Sequence, residues 1–251
     1  MVTRKELREW LNEYLSVFSV SDFQPNGLQI EGKDRIERMA AAVSVSLKVI
    51  DQAVSEGADA ILVHHGMFWK NDDAALTGYR KKRVKRILAH DINLFAYHLP
   101  LDLHPEVGHN SLILKGIGAS PEPVDGGEQS GLGRRGSFLT PIRFETLLER
   151  INSLFGTEAR YFHHGPQTVG SVYVVSGAGR NEIDAVSELG VDAYITGDAK
   201  ESTPYIANET NMNYIYAGHY KTERLGVRAL LSKIQDRFDI DIFFCDIDND
   251  L

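Results

Sequence analysis

The sequence predicts an α/β fold of two related lobes, and three observations carry that prediction. Short apolar, strand-like runs alternate with segments of helical spacing along the chain. The pattern of the first half returns in the second. Ile50-Asp51 followed by Gly57-Ala58-Asp59-Ala60 matches Ile183-Asp184 followed by Gly190-Val191-Asp192-Ala193 at one constant offset. Finally, three strand-like runs lead into metal-binding residue types. The run 60–63 leads into His64-His65, the run 94–97 into His98 with Asp102 four residues on, and the run 214–217 toward His219 with Glu223 four residues on. At a second offset, His98 and Asp102 fall on His219 and Glu223. Strand–helix–strand units present functional side chains at the carboxyl ends of their strands. The two lobes, an internal duplication, are therefore expected to pack around a dinuclear metal cleft.

Composition narrows the class. With 251 residues, 43% apolar and 25% charged, the chain can bury one large core or two modest ones. A formal net charge of −8 argues against general nucleic-acid or anionic-membrane binding, which calls for a basic surface. The single cysteine, Cys245, cannot form an internal disulfide, so a reducing, cytoplasmic setting is expected. It ends the apolar run 242–245 and reads as a buried core thiol rather than a nucleophile. No apolar run approaches the length of a membrane span.

The elements follow in order. Leu7, Trp10, Leu11, Tyr14, Leu15 and Phe18 have helical spacing, and Thr3 with Glu6 forms a capping box, so the chain opens on a folded helix rather than a leader. Residues 22–29 are turn-rich. A strand over 39–45 precedes a helix bearing Leu47, Ile50 and Val54 that Gly57 stops, and a buried strand follows at 60–63. A helix over 79–90 then leads to a strand at 94–97. The Gly- and Pro-rich stretch 121–136 places a boundary between lobes 1–125 and 126–251, with a single intertwined domain as the alternative. Beyond it, Thr140-Pro141 opens a helix with Phe144, Leu147, Leu148, Ile151 and Leu154 as its stripe. Strand 172–175, helix 181–189 and strand 193–196 complete the repeat.

Imidazole and carboxylate are the donors that divalent first-row metals take. Six candidates, namely His64, His65, His98, Asp102, His219 and Glu223, exceed what one zinc uses, and a carboxylate such as Glu223 can bridge two ions. Two divalent ions per subunit are therefore expected, and the chemistry they favour is hydrolysis. Adjacent histidines on a strand point to opposite faces unless the chain turns, which Gly66 permits. His163-His164-Gly165 has no matching carboxylate and reads as a solvated loop before a strand. Ser176-Gly177-Ala178-Gly179-Arg180 suits either a tight turn or a phosphate cradle. Lys81-Lys82-Arg83 with Lys85-Arg86 reads as a solvated basic helix face. No His-Glu-x-x-His or Cys-x-x-Cys occurs.

The segments DFQPNGLQIE (22–31), ILVHHGMFW (61–69), AYHLPLDLHP (96–105) and AGHYKTERLGVR (217–228), with the closing FCDIDN (244–249), closely resemble the Nif-three-like family, whose members include GTP cyclohydrolase I type 2 homologues. The resemblance spans nearly the whole chain and implies related α/β lobes around a dinuclear site. It implies His64, His65, Asp102, His219 and Glu223 as metal ligands, with Glu223 bridging and catalytic. It also implies His98 as a catalytic residue for substrate contact or proton transfer. A ring-shaped homohexamer and a small, nucleotide-like or heterocyclic substrate are further implications. Cyclohydrolase chemistry would open a guanine imidazole ring by hydrolysis and release formate, with Arg134, Lys221 and the Gly-rich turn as phosphate contacts. The alternatives are a metal-stabilised oligomeric binding or regulatory scaffold without turnover, and metal storage or delivery.

Overall fold

Alternation along each strand decides how the sheets are covered. The computed structural model describes residues 1–122, 131–247 and 249, so the expected boundary at 125/126 lies outside the described residues. The chain divides into one unit of Met1–Val107 with Gly226–Asp248 and a second built on Gly108–Leu225.

The first unit runs β1 (Val2–Thr3), α1 (Arg4–Tyr14), β2 (Gly27–Ile30), β3 (Arg35–Ile36), β4 (Arg38–Ser44), α2 (Leu47–Ser55), β5 (Ala60–His65), α3 (Gly78–Ala89), β6 (Asn93–Ala96) and α4 (Leu99–Asp102). The second holds α5 (His109–Ile117), β7 (Ser120–Pro121), β8 (Arg134–Arg143), α6 (Phe144–Phe155), β9 (Arg160–His163), β10 (Thr168–Val175), α7 (Ile183–Ser187), β11 (Ala193–Thr196), α8 (Thr203–Glu209), β12 (Asn213–Tyr216) and α9 (His219–Thr222). Helix α10 (Arg224–Phe238) carries the chain back, and β13 (Asp241–Phe244) closes the first unit. This return has a physical cause. Val227, Leu230, Leu231 and Ile234 of α10 pack into the first unit's core, and β13 pairs in parallel with β4.

In the first unit the sheet order is β13-β4-β5-β6-β2, parallel except for β2, which runs antiparallel to β6. Met39, Ala41, Ala60, Leu62 and Phe95 enter one core, while Ala40, Ala42, Ile61, Val63 and Leu94 enter another. A sheet covered on both faces needs such continuous apolar runs. The Thr3–Glu6 capping box starts α1, and Ser46 caps α2 through Val49 N–H at 3.2 Å. Cys245 is fully buried, and burial, aided by the Glu56 charge, pushes its thiol up to about 11.

Asp59 fastens the start of this sheet. Its carboxylate accepts Lys33 Nζ at 2.6 Å and the amides of Glu37 and Arg38 at 2.9 and 3.2 Å. Burial raises its pKa, but these donors outweigh burial and hold it below the ordinary carboxylate value. A depressed folded-state pKa means that the contribution is complete above the unfolded value near ~3.9. It is lost as pH falls through the folded value. Asp59→Asn is thus expected to flatten the acid limb of stability measured by urea unfolding between about pH 5 and pH 2.5. An unchanged slope would remove Asp59 from the acid transition.

The second unit has the order β7-β8-β10-β11-β12-β9. Strands β10, β11 and β12 are parallel, with β8 and β9 antiparallel at their flanks. Val172, Val174, Ala193, Ile195 and Ile215 face one core, and Tyr173, Val175, Tyr194 and Tyr214 the other. Three expectations change here. Thr140-Pro141 does not open a helix but lies in β8, and α6 begins at Phe144. The register between β8 and β10 slips there, from Val169↔Ile142 to Ser171↔Ser137, so proline sits where no ladder donor is needed. His163 is not in a loop; it ends β9 and stacks on Phe144 at 4.1 Å, which half-buries it. The helix expected over 181–189 is shorter, a 3-10 turn at Gly179–Asn181 followed by α7. No helix among the described residues is long and apolar enough to cross a membrane.

Candidate metal site and its surroundings

In the first unit, the ends of β5 and β6 and the helix α4 bring four expected site residues together. His64 is fully buried, and its ring lies 4.6 Å from that of His65 and 4.9 Å from that of His98. The two rings thus lie close together although both residues belong to β5. A Cβ on Gly66 would strike the Gln29 amide, which accepts Met67 N–H at 2.8 Å. One nitrogen from each of His64, His65 and His98 can be chosen so that all lie within 4.8 Å of one another, a spacing that could hold a metal ion. Asp102, mostly buried, places Oδ2 3.7 Å from His64 Nε2.

The rings are aimed. The carbonyl of Tyr97 only accepts, so His64 Nδ1–H donates to it at 3.0 Å and Nε2 is left as the electron-pair donor. Ser44 Oγ holds His65 Nδ1 at 2.9 Å. His98 Nδ1–H donates to Asp22 Oδ1 at 2.9 Å, and Trp69 stands edge-on to the ring at 5.1 Å. These outer contacts orient imidazoles that serve metals or move protons.

Asp22, Gln24, Asn26, Ser44 and Trp69 were not anticipated as site residues. Asp22 also accepts from Phe23 N–H at 2.6 Å, Asn26 Nδ2 at 2.8 Å and Leu99 N–H at 2.9 Å. Burial raises its pKa, yet the His98 and Asn26 hydrogen bonds, the His98 charge and the Leu99 amide bring it down to about 2. Asn26 Oδ1 accepts His98 N–H at 2.7 Å, and Gln24 spans His64 O and Gly66 N–H at 2.9 and 2.7 Å. The signal was present in the sequence, since residues 22–29 crowd carboxylate and amide side chains into a turn. Asp22→Ala leaves several buried donors without their acceptor, so a loss of about 2–4 kcal/mol in urea-unfolding stability is expected. A loss below about 0.5 kcal/mol would show the clamp to be dispensable.

In the second unit, His219 Nε2 lies 3.2 Å from Glu223 Oε2, with the carboxylate buried and the imidazole half-buried. Gly218, at φ +95°, turns the chain from β12 into α9. Beside the pair runs the Gly-rich segment, and Gly177 (φ +66°) has room for no side chain, since a Cβ would overlap the Glu223 carboxylate. Four of the segment's five amides are committed, that of Ser176 to Asn110 Oδ1 at 2.8 Å. Gly177 N–H donates to Thr222 Oγ1 at 2.9 Å, Gly179 N–H to Thr196 Oγ1 at 3.1 Å and Arg180 N–H to Asp198 Oδ1 at 3.1 Å. These bonds hold the segment as a tight turn. Tyr194 Oη donates to Gly179 O and Tyr214 Oη to Asp198 O, both at 2.6 Å, and these bonds tie the strand-end loops to the core. Arg134 donates to Ser111 Oγ at 2.9 Å.

Among the basic residues of α3, Arg86 pairs with Asp51 at 2.8 Å and Lys81, Lys82 and Lys85 are exposed, as a solvated face requires.

Comparison with known proteins agrees with this architecture. A Yersinia pestis protein named GTP cyclohydrolase 1 type 2 homolog is 40% identical over 245 residues, 97% of this chain and 98% of its own. The solved structure of protein ybgI, described as of unknown function, superposes with a TM-score of 0.94 at 37% identity over the whole of both chains. A Thermus thermophilus structure does so with 0.90 at 32% identity, again over the whole of both chains. The model of the Duf34/NIF3 (NGG1p interacting factor 3) family matches residues 2–250, and the chain belongs to that family.

Proposed function

We propose that the protein is a metal-dependent hydrolase of small nucleotide-like or heterocyclic substrates, with ring opening of the GTP cyclohydrolase type as its specific form. The observation that carries this reading is the His64–His65–His98 cluster, whose ring nitrogens converge while Nδ1 of each is held from behind. The donors so oriented on His64 and His65 fit a divalent first-row ion, and His98 stands beside them. His64, His65 and Asp102 in the first unit, and His219 with Glu223 in the second, are the residues that would serve as ligands to such ions. Bound ions would supply Lewis acidity and a water of lowered pKa. His98 keeps Nε2 for proton transfer because Nδ1–H is given to Asp22. Asp22 stays ionised and fixes the tautomer. The names carried by the relatives support the reaction class.

An internal duplication fits the same reading. Met39, Ala60 and Asn93 align across β4, β5 and β6 as Val172, Ala193 and Asn213 do across β10, β11 and β12. Asp59 Oδ2 takes the Glu37 and Arg38 amides, and Asp192 Oδ2 takes those of Gly170 and Ser171. In this register His98 corresponds to Gly218 and Asp102 to Thr222, one residue short of the match made on sequence alone.

The test is metal content by elemental analysis on gently purified protein, with hydrolysis of a nucleotide and heterocycle panel before and after chelation. About two ions per subunit and metal-dependent product are expected. Metal-replete protein that releases no product across the panel would leave the scaffold alternative standing. Assembly as a homohexamer belongs to the proposal, and light scattering at about six times the 28.0 kDa chain mass checks it.

A further inference from the structure

We propose that the second unit carries an anion subsite, beside His219, that receives a phosphate group of the substrate. That the bound anion belongs to a substrate rests on the hydrolase reading; that an anion binds rests on the unit's own geometry. A cavity of about 570 Å³ lies by the carboxyl ends of β11 and β12, and its lining includes Arg160, Arg180, Asp198, Tyr216, His219 and Lys221. Three permanent cations thus line one hollow in a chain whose formal net charge is −8.

Against these three cations the lining sets two carboxylates, Asp198 and Glu158, which leaves a formal excess of one positive charge. Asp198 accepts both the backbone N–H of Arg180 and its Nη1, at 3.1 and 2.8 Å. That pair holds the half-exposed guanidinium in place and leaves most of its five N–H donors for a ligand. Arg160 is exposed and makes no ion pair among the described residues. Its backbone is fixed by pairing with Tyr216 across β9 and β12. Lys221 stands on α9 between His219 and Glu223. Glu158 is the one further carboxylate of the lining.

Two guanidinium forks and an ammonium suit a doubly charged phosphate, which offers three oxygens, better than a carboxylate, which a single bidentate arginine satisfies. An anion anchored here would hold a part of the substrate that does not react, and binding energy from such a part positions the bond that does.

The test is isothermal titration with inorganic phosphate, and with acetate at matched ionic strength. It uses the wild-type protein, Arg160→Ala, Arg180→Gln, and the wild type after chelation, with metal content measured on each. Phosphate is expected to bind the wild type more tightly than acetate does. Binding should weaken at least about tenfold in Arg160→Ala, as loss of a charge-assisted hydrogen bond implies, and should survive chelation. Arg180→Gln should weaken it as well. Arg160 is exposed, so that variant reports on binding rather than folding. Absence of phosphate binding, equal binding by Arg160→Ala, acetate binding as tightly as phosphate, or loss of binding on chelation would each overturn the subsite. Failure of the hydrolase reading looks different: phosphate would still bind, but no metal-dependent turnover would appear.

Discussion

Glu223→Gln is expected to lower metal affinity by about a hundredfold or more and to abolish metal-dependent turnover, with the fold intact. Even residues that only orient a metal ligand cost about ten- to a hundredfold in affinity when replaced. A carboxylate that itself binds the metal should cost at least the upper end of that range. Glutamine keeps the shape of the side chain but removes the charge and one anionic oxygen. Glu223 is buried against His219, and a neutral amide of the same shape is easier to bury than a carboxylate, which offsets the loss of the charged contact in the metal-free protein. The unfolding midpoint in chelator should therefore move little, while competition with a chelating dye reports the lost affinity. Full metal content with normal turnover would remove Glu223 from the site altogether.

What could be read from the residues, and what could not, divides along physical lines. Buried strands in a sheet covered on both faces are continuous apolar runs, so 60–63 and 94–97 were legible, as were the histidines at their ends. The clustering of His64, His65, His98 and Asp102 follows from neighbouring parallel strands, and it needed no long-range information. Asp22 is different. It lies 76 positions from His98 in the sequence, and only the antiparallel pairing of β2 with β6 sets its loop beside that ring. No local periodicity reports such a contact.

Long-range pairing also overrides a local signal. Thr140-Pro141 carries a helix-start signal, but pairing of Arg134–Ser137 and of Ile142 and Arg143 with β10, on either side of it, keeps the chain in β8 until Phe144. The boundary expected at 125/126 lies outside the described residues; β13 and most of α10 belong to the first unit, where their apolar faces are buried. A division by contacts need not follow a division by chain order.

Gly177→Ala supplies the second large effect, and it comes from a residue with no side chain to contribute. Two penalties combine at this position. At φ +66° an alanine takes on about 1–2 kcal/mol of backbone strain. Its Cβ would also overlap the Glu223 carboxylate and come within 3.1 Å of His219 Nε2, and overpacking of that kind costs about 1–3 kcal/mol. Gly190 separates the two contributions, because its φ is +62° and no atom lies within 4 Å of the Cβ it would acquire. Gly190→Ala is expected to lose about 1–2 kcal/mol in urea unfolding and to keep its full metal content. Gly177→Ala should lose about 2–5 kcal/mol and, with Glu223 displaced, should bind metal as poorly as Glu223→Gln. If both alanine variants lost stability equally and both kept their metal, then the close approach of Gly177 would matter only to the backbone. The carboxylate could not then be the group that holds the ions.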